Sequence, residues 1–248
     1  MSSFLTLWRK ELASYFYSPI AYVVTIFFLA VMGVVFWMLA SALVDAPAGV
    51  SVMNLLFATP FFWMIMLVIV PVLTMRLIAE EKRSGTFETL LTAPVSDLSV
   101  VMAKYFGAVS FYVMLWLPTV AYVFILRRFS SVMAPIDFGP MMGGYLGAFL
   151  VGLFFISVGL FCSALTSNQI VAAIMAFALI GGLFFAGLFQ YVSHNELVKA
   201  CSIYVSSYTH MYDFSRGAID TRPVVLYLSG AMFMLFATVK VVESRKWK

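Results

Sequence analysis

Charged side chains, which most protein chemistry requires, are concentrated in one segment of this sequence. The chain has 15 Lys and Arg and 11 Asp and Glu residues, and eight of these 26 lie between positions 76 and 104. Within that segment, Ser84, Gly85 and Thr86 are residue types typical of turns and helix N-caps. Glu88 follows in the first helical turn, where a negative charge interacts favourably with the helix dipole. The segment therefore predicts a short helix of about two turns that begins after the turn at residues 84–86.

The apolar side of this predicted helix consists of Phe87, Leu90 and Leu91, which are spaced at i, i+3 and i+4. Pro94 ends the helix. A helix this short is marginal alone in water, so the membrane surface or a partner protein must hold it. A packed surface helix and a protein-docking helix both fit this pattern.

Patterns typical of catalysis and metal binding are absent from the sequence. His194 and His210 lie in one segment outside the predicted spans, there is no H-E-x-x-H, and Ser157 is not part of a G-x-S-x-G. No Lys follows a Gly, so the chain has no Walker A loop to bind ATP. Cys162 and Cys201 are expected near opposite ends of the spans and predict no disulfide. We expect no catalytic site, cofactor or metal in this chain.

The composition is that of a membrane protein. Hydrophobic residue types make up 63% and charged types 10%, whereas soluble domains have roughly 45–50% and about 25%. The 25 Phe, 12 Tyr and 5 Trp residues suit lipid contact and membrane interfaces. Because the basic residues are scattered over loop ends, the net charge of +4 does not indicate a nucleic-acid partner.

Six stretches are long and apolar enough to cross a hydrocarbon core of about 30 Å as helices. They lie at residues 20–43, 56–75, 100–126, 141–165, 170–191 and 224–242. We expect Arg76 and Lys104, at the ends of two spans, to snorkel towards the membrane surface. The predicted fold class is an all-α polytopic membrane protein, with one transmembrane domain over residues 1–248.

The basic residues also predict the orientation. Ten of them lie on the side of the two termini and five on the other side. Because basic residues are retained in the cytoplasm, both termini are predicted to be cytoplasmic.

Two segments outside the spans are predicted to be helical. Residues 3–17 place Trp8 and Tyr15 on one apolar face before Pro19, which predicts an amphipathic helix at the membrane interface. It is either a plain anchor or an elbow that transmits force to span one. Residues 193–223, on the opposite side, are predicted to form one or two short helices, which either seal the outer end of a pathway or cap the bundle.

Two rows of small residues indicate close helix packing. Gly143 and Gly147 form a G-x-x-x-G in span four, and Ala178, Gly182 and Ala186 form a similar row in span five. Packing within one subunit and contact between subunits are both compatible with such rows.

Residues 79–94 read A-E-E-K-R-S-G-T-F-E-T-L-L-T-A-P and resemble the cytoplasmic signature of ABC type-2 exporter permeases. Three further stretches resemble the gliding-motility-type (Gld) branch of that family. They are W-R-K-E-L-A-S-Y-F-Y-S-P-I-A-Y at 8–22, S-A-L-T-S-N-Q-I-V-A at 163–172 and S-R-G-A-I-D-T-R at 215–222. The resemblance runs from one end of the chain to the other.

This resemblance implies six spans, an N-terminal interfacial helix, a cytoplasmic coupling helix and short outer helices between spans five and six. Such permeases are half-transporters that pair, as homodimers or heterodimers, in the bacterial cytoplasmic (inner) membrane. They bind a dimer of ABC ATPase subunits, which hold ATP and Mg²⁺. A separate membrane-anchored subunit often accompanies the gliding-type branch. The substrate does not follow from the resemblance.

The resemblance also assigns roles to two groups of residues. The residues implied to dock on the ATPase are Glu80, Glu81, Lys82, Arg83, Ser84, Gly85, Thr86, Phe87, Glu88, Leu90 and Leu91. The resemblance implies that spans one and five line the contact with a second permease chain, and the row Ala178, Gly182 and Ala186 of span five suits close approach there. The alternative functions are a channel and a membrane anchor for a larger complex without transport of its own.

Overall fold

A computed structural model describes residues 2–42, 52–86, 96–129 and 138–244 of the chain. Every regular element within these ranges is a helix, which confirms the predicted all-α fold class. The α-helices, numbered in chain order, are α1 Ser2–Tyr17, α2 Pro19–Ala42, α3 Val52–Ala58, α4 Pro60–Thr74, α5 Ala79–Ser84, α6 Asp97–Trp116, α7 Ala121–Phe129, α8 Phe138–Leu165, α9 Gln169–Leu188, α10 Glu196–Val205, α11 Ser207–Ser215 and α12 Thr221–Ser244. Two 3₁₀ turns, Leu117–Val120 and Phe189–Tyr191, extend α6 and α9.

Six helical stretches are long and apolar enough to cross a membrane, as the sequence predicted. They are Pro19–Ala42, Pro60–Ser84, Asp97–Leu126, Phe138–Leu165, Gln169–Tyr191 and Thr221–Ser244, here called spans one to six. Span two begins at Pro60, four residues later than the predicted start, because Thr59 is extended and Pro60 starts a new helix. Successive spans run in opposite directions, so α1 and α5 lie at one end of the bundle, the α1 face. The helices α10 and α11 lie at the other end, the α11 face.

Spans two and four form the centre of the bundle. Burial covers 72% of the apolar stretch of span four and 61% of that of span two, against 22% for span one and 28% each for spans five and six. Span four can be central because its glycines allow close approach. Thr74 packs against Gly159, and Tyr112 packs against Gly152. The peripheral spans keep one apolar side free for lipid or for another subunit.

The α11 face is closed by helices packed on span four. Asn195 and Ser206 cap α10 and α11, their side-chain oxygens accepting from the N–H groups of Leu197 and Thr209. A Cβ on Gly143 would collide with the Phe214 carbonyl oxygen of α11. The G-x-x-x-G row of span four therefore packs within this subunit.

Candidate functional site

Span two is interrupted at the α1 face, between α4 and α5. The Ser163 hydroxyl of span four accepts hydrogen bonds from the N–H groups of Ile78 and Ala79, each at 3.0 Å, and donates one to the Met75 carbonyl oxygen at 3.1 Å. A hydroxyl has one donor and two acceptor positions, so the three backbone groups of this break use Ser163 fully. The interruption is thereby fixed to span four.

The α5 helix carries the charged segment away from this break. Lys82 of α5 donates to the Ala164 carbonyl oxygen, next to Ser163. The helix ends at Gly85, whose φ of +74° is the left-handed conformation common at helix C-caps. The direction in which the chain leaves α5 is therefore set by a glycine.

Lys104 of span three joins three elements in a buried charge cluster. Its ammonium lies 3.0 Å from Glu11 Oε1 of α1 and 2.7 Å from Glu81 Oε1 of α5. The Lys104 side chain is only 2% exposed. The prediction that Lys104 snorkels is therefore wrong, because two carboxylates of this chain pair with its ammonium inside the protein.

The α1 helix packs along the start of span three. A Cβ on Gly107 would lie 2.9 Å from Glu11 Cβ, so the glycine permits this close approach. The Trp8 indole donates to Ser110 Oγ at 3.2 Å, and the Tyr15 ring stacks on Phe111 with ring centroids 4.8 Å apart. Of the two predicted roles for α1, a force-transmitting elbow would act mainly on span three.

Tyr15 links α1 to span two as well. Its hydroxyl donates to the Leu73 carbonyl oxygen at 3.2 Å. Burial, and secondly the nearby Glu11 carboxylate, raise the pKa of the Tyr15 phenol well above its ordinary value. The hydroxyl therefore stays protonated and able to donate.

Arg76 fixes the junction between α1 and span one. Its Nε and Nη2 donate to the two carboxylate oxygens of Glu80 at 2.8 and 3.0 Å, and its Nη1 donates to Ser18 Oγ at 2.6 Å. The pair borders a cavity of about 320 Å³ between α1 and the first three spans, which Glu11, Glu81 and Lys104 also line. The charged side chains of the Arg76–Glu80 pair and of the Lys104 cluster thus converge on one cavity.

The predicted docking residues that the structure describes fall into two groups. Glu80, Glu81 and Lys82 contact this chain's own Arg76, Lys104 and Ala164. The exposed residues that follow are Arg83, Ser84, Gly85 and Thr86. The remaining predicted residues, Phe87, Glu88, Leu90 and Leu91, lie outside the residues that the structure describes.

The predicted small-residue row of span five lies on a free side of its helix. Ala178 and Gly182 are exposed and Ala186 is half-buried. A Cβ built on Gly182 would meet no atom within 4 Å in the described part of this chain. This surface is therefore available to lipid or to a second subunit.

Groups that could hold a metal ion do not cluster in the described ranges. No set of three or more His, Cys, Asp or Glu residues there has a geometry that could hold a metal ion. His210, in α11, contacts the Tyr227 hydroxyl at 3.1 Å. Cys162 and Cys201 are both free thiols, the first buried and the second exposed.

The sequence alone did not indicate the contacts of Ser163 and Glu11, or the two ion pairs of Lys104. One signal was present for Glu11. It follows Trp8 by three residues and precedes Tyr15 by four, so its carboxylate falls within the apolar face of α1. A carboxylate on an apolar helix face needs a buried partner, and Lys104 provides it.

The stretches that carry the family resemblance supply most of these contacts. Residues 8–22 contribute Trp8, Glu11, Tyr15 and Ser18, and residues 163–172 contribute Ser163. A protein-family profile described as ABC-2 family transporter protein matches residues 49–215, which is more than half of the chain. A search of curated proteins found no match. The chain therefore belongs to the ABC-2 transporter family, as one of its polytopic membrane (permease) domains.

Proposed function

We propose that this chain is the permease subunit of an ATP-binding-cassette exporter, in which a separate ATPase hydrolyses ATP. Membership of the ABC-2 family implies ATPase partner subunits. The observation that carries the proposal is the course of the chain at the end of span two. There α5 is fixed to span four by Ser163, and its exposed end, Arg83 to Thr86, leads directly into the amphipathic segment at 87–91.

The proposed docking surface consists of Arg83 to Thr86 together with Phe87, Glu88, Leu90 and Leu91. Its apolar residues would fill a groove of the ATPase, because apolar anchors commonly dominate such interfaces. Glu88 would contact a basic group of the partner. Glu80, Glu81 and Lys82 were also predicted to dock, and we propose that they position this surface instead, because the side chain of each contacts a residue of this chain outside α5.

The rest of the proposed assembly is inferred from the family resemblance. Two permease chains, identical or different, would pair around one pathway in a bacterial cytoplasmic membrane, with both termini in the cytoplasm. ATP and Mg²⁺ would be held by the ATPase dimer. The gliding-motility-type branch, with its accessory membrane-anchored subunit, is the finer assignment that we favour from residues 8–22, 163–172 and 215–222.

The docking proposal is tested by copurification of the permease with the ATPase subunit produced in the same cells. We expect Phe87→Ala and Leu90→Ala each to weaken the complex by about 2 kcal/mol or more and to release the ATPase. Arg83→Ala should mainly change the dependence of binding on salt, because exposed charges at an interface rim act chiefly on association.

Phe138→Ala is the matched control. This residue is an exposed phenylalanine at the α11 face, and its truncation should leave ATPase binding unchanged. The docking proposal fails if folded Phe87→Ala and Leu90→Ala permeases retain full ATPase binding and stimulated hydrolysis. Loss of binding in the Phe138→Ala control would point to a general folding defect.

The pairing proposal rests on the free small-residue row of span five. Gly182→Leu should weaken the permease dimer in detergent, because a large side chain would keep two helices apart where small residues allow close contact. Ser229→Leu, on the exposed side of span six, is the control and should leave the dimer intact. If dimer stability responds to Ser229→Leu and not to Gly182→Leu, span five is not the interface.

A further inference from the structure

The Lys104 cluster has two carboxylates and one ammonium, each contributed by a different element. Glu11 and Glu81 both pair with Lys104 through their Oε1 atoms. The Oε2 atom of Glu81 is buried and has no hydrogen-bond partner among the described residues. Because Lys104 is almost fully buried, both carboxylates depend on its position for their electrostatic stabilisation.

The three elements are attached to the bundle in different ways. The α1 helix is attached to span three along several turns, through Trp8 and Tyr15. The α5 helix is attached to span four, through Ser163 and Ala164. The Glu81–Lys104 ion pair connects α5 to span three, and Glu11 extends this connection to α1.

We propose that Lys104 is a positioning residue that makes α1, α5 and the start of span three move as one unit. A displacement of the docking surface would enter at α5, reach span three through Glu81 and Lys104, and reach α1 through Glu11. The role of this unit in transport rests on the proposed function, whereas the mechanical link is a property of this chain alone. Force from the ATPase would thus reach span three directly.

The link is tested by hydrogen exchange in the purified permease, without any ATPase. Glu11→Gln should raise amide exchange about threefold or more in α5 as well as in α1, because it removes one of two coupled contacts. Glu81→Gln should raise exchange in α1 as well as in α5. The matched control is Glu243→Gln, which breaks the exposed ion pair to Lys240 on span six and should affect neither helix.

An exchange increase confined to the helix that carries the substitution would overturn the proposal. A charge exchange provides a second measurement. The triple variant Glu11→Lys, Glu81→Lys and Lys104→Glu reverses every charge of the cluster and keeps both ion pairs, and should restore slow exchange in both helices relative to the single variant Lys104→Glu. If the triple variant exchanges as fast as Lys104→Glu, the ion pairs are not what joins the helices.

The consequence for transport is measured in the complex with the ATPase. Glu11→Gln lies outside the proposed docking surface and should leave ATPase copurification unchanged, yet lower permease-stimulated ATP hydrolysis about tenfold. The double variant Glu11→Gln with Glu81→Gln should show no further loss, because both substitutions break the same link. Transmission through Lys104 would be rejected if the losses of ATP hydrolysis in the two single variants multiply in the double variant. Fully stimulated ATP hydrolysis in Glu11→Gln would also reject it. Because the exchange experiment needs no ATPase, failure of the docking proposal would leave its result intact.

Discussion

The two ends of the bundle are held together by different kinds of contact. At the α1 face the contacts are directional and polar, as in the Glu11–Lys104–Glu81 cluster and the Ser163 hydrogen bonds. At the α11 face there are polar contacts too, such as that of His210 with Tyr227, but the closest contacts are steric, since α11 packs directly on the glycines of span four. A Cβ on Gly147, for example, would lie 2.8 Å from the Met211 sulfur.

This difference suits the two ends to different tasks. Ion pairs and hydrogen bonds can shift by rotation of side chains without opening a void. Close packing against glycine has no such freedom, because protein interiors are as dense as organic crystals. Under the proposed function, the α1 face would transmit a movement and the α11 face would act as a fixed cap. Of the two roles predicted for the outer helices, capping of the bundle has the contacts that it requires.

The largest expected effect comes from removing the cation at the α1 face. Lys104→Met leaves two carboxylates without their ammonium partner in a buried site, and should destabilise the protein by about 3–5 kcal/mol. Thermal unfolding of the purified permease in detergent measures this loss. Lys240→Met, which breaks an exposed pair, should change stability by less than about 0.5 kcal/mol. Equal losses in both variants would contradict the distinction between a buried cluster and a surface pair.

A smaller effect is expected from overfilling the α11 face. Gly143→Leu must displace the Phe214 carbonyl of α11, and such overpacking should cost about 1–3 kcal/mol. Hydrogen exchange should rise in α11 and remain unchanged in α1. Ser229→Leu is the control, because its side chain lies on the exposed side of span six and should leave unfolding unchanged. Faster exchange in α1 than in α11 would show that the two faces are not independent.

The smallest effect is expected from pH. Burial is the main cause that lowers the pKa of His210, and the carboxylates of Asp213 and Asp220 partly oppose it. The neutral imidazole is therefore favoured in the folded state. Above the unfolded histidine pKa of about 6.5, His210 is neutral in both states and the folded state keeps its full stability. As the pH falls below that value, the unfolded chain binds the proton first, so the folded state loses stability.

Between about pH 7.5 and 5.5, protection of the α11 amides relative to their intrinsic exchange rates should therefore fall more steeply than that of the α1 amides. His210→Asn should abolish that difference, whereas substitution of the exposed His194 should not. A pH response that survives in His210→Asn would assign it to other groups of the α11 face.

Hydropathy predicted the architecture because the membrane makes the rule simple. Lipid-exposed backbone must satisfy its own hydrogen bonds, so every long apolar stretch becomes a helix. Residues 170–191 and span five, Gln169–Tyr191, differ by one residue at the start. A helix boundary could also be predicted, since α1 ends just before Pro19 and span one begins at this residue.

The candidate site could be predicted only in part, because its contacts join residues far apart in the chain. Lys104 is 93 residues from Glu11, and Ser163 is 85 residues from Ile78. No local period connects such positions, so Lys104 was interpreted as a snorkelling side chain and Ser163 was given no role. Charge density located the segment at 76–104, but it could not show that Glu81 faces its own chain.

The saturated Ser163 hydroxyl also limits how relatives or engineered hybrids of this protein can differ. This hydroxyl accepts hydrogen bonds from two backbone N–H groups and donates one to a backbone carbonyl, all between Met75 and Ala79. An insertion of one residue in span four between this position and the bundle centre would rotate Ser163 by about 100° and lose all three bonds at once. Exchange of span two between homologues should therefore succeed only when span four is exchanged with it.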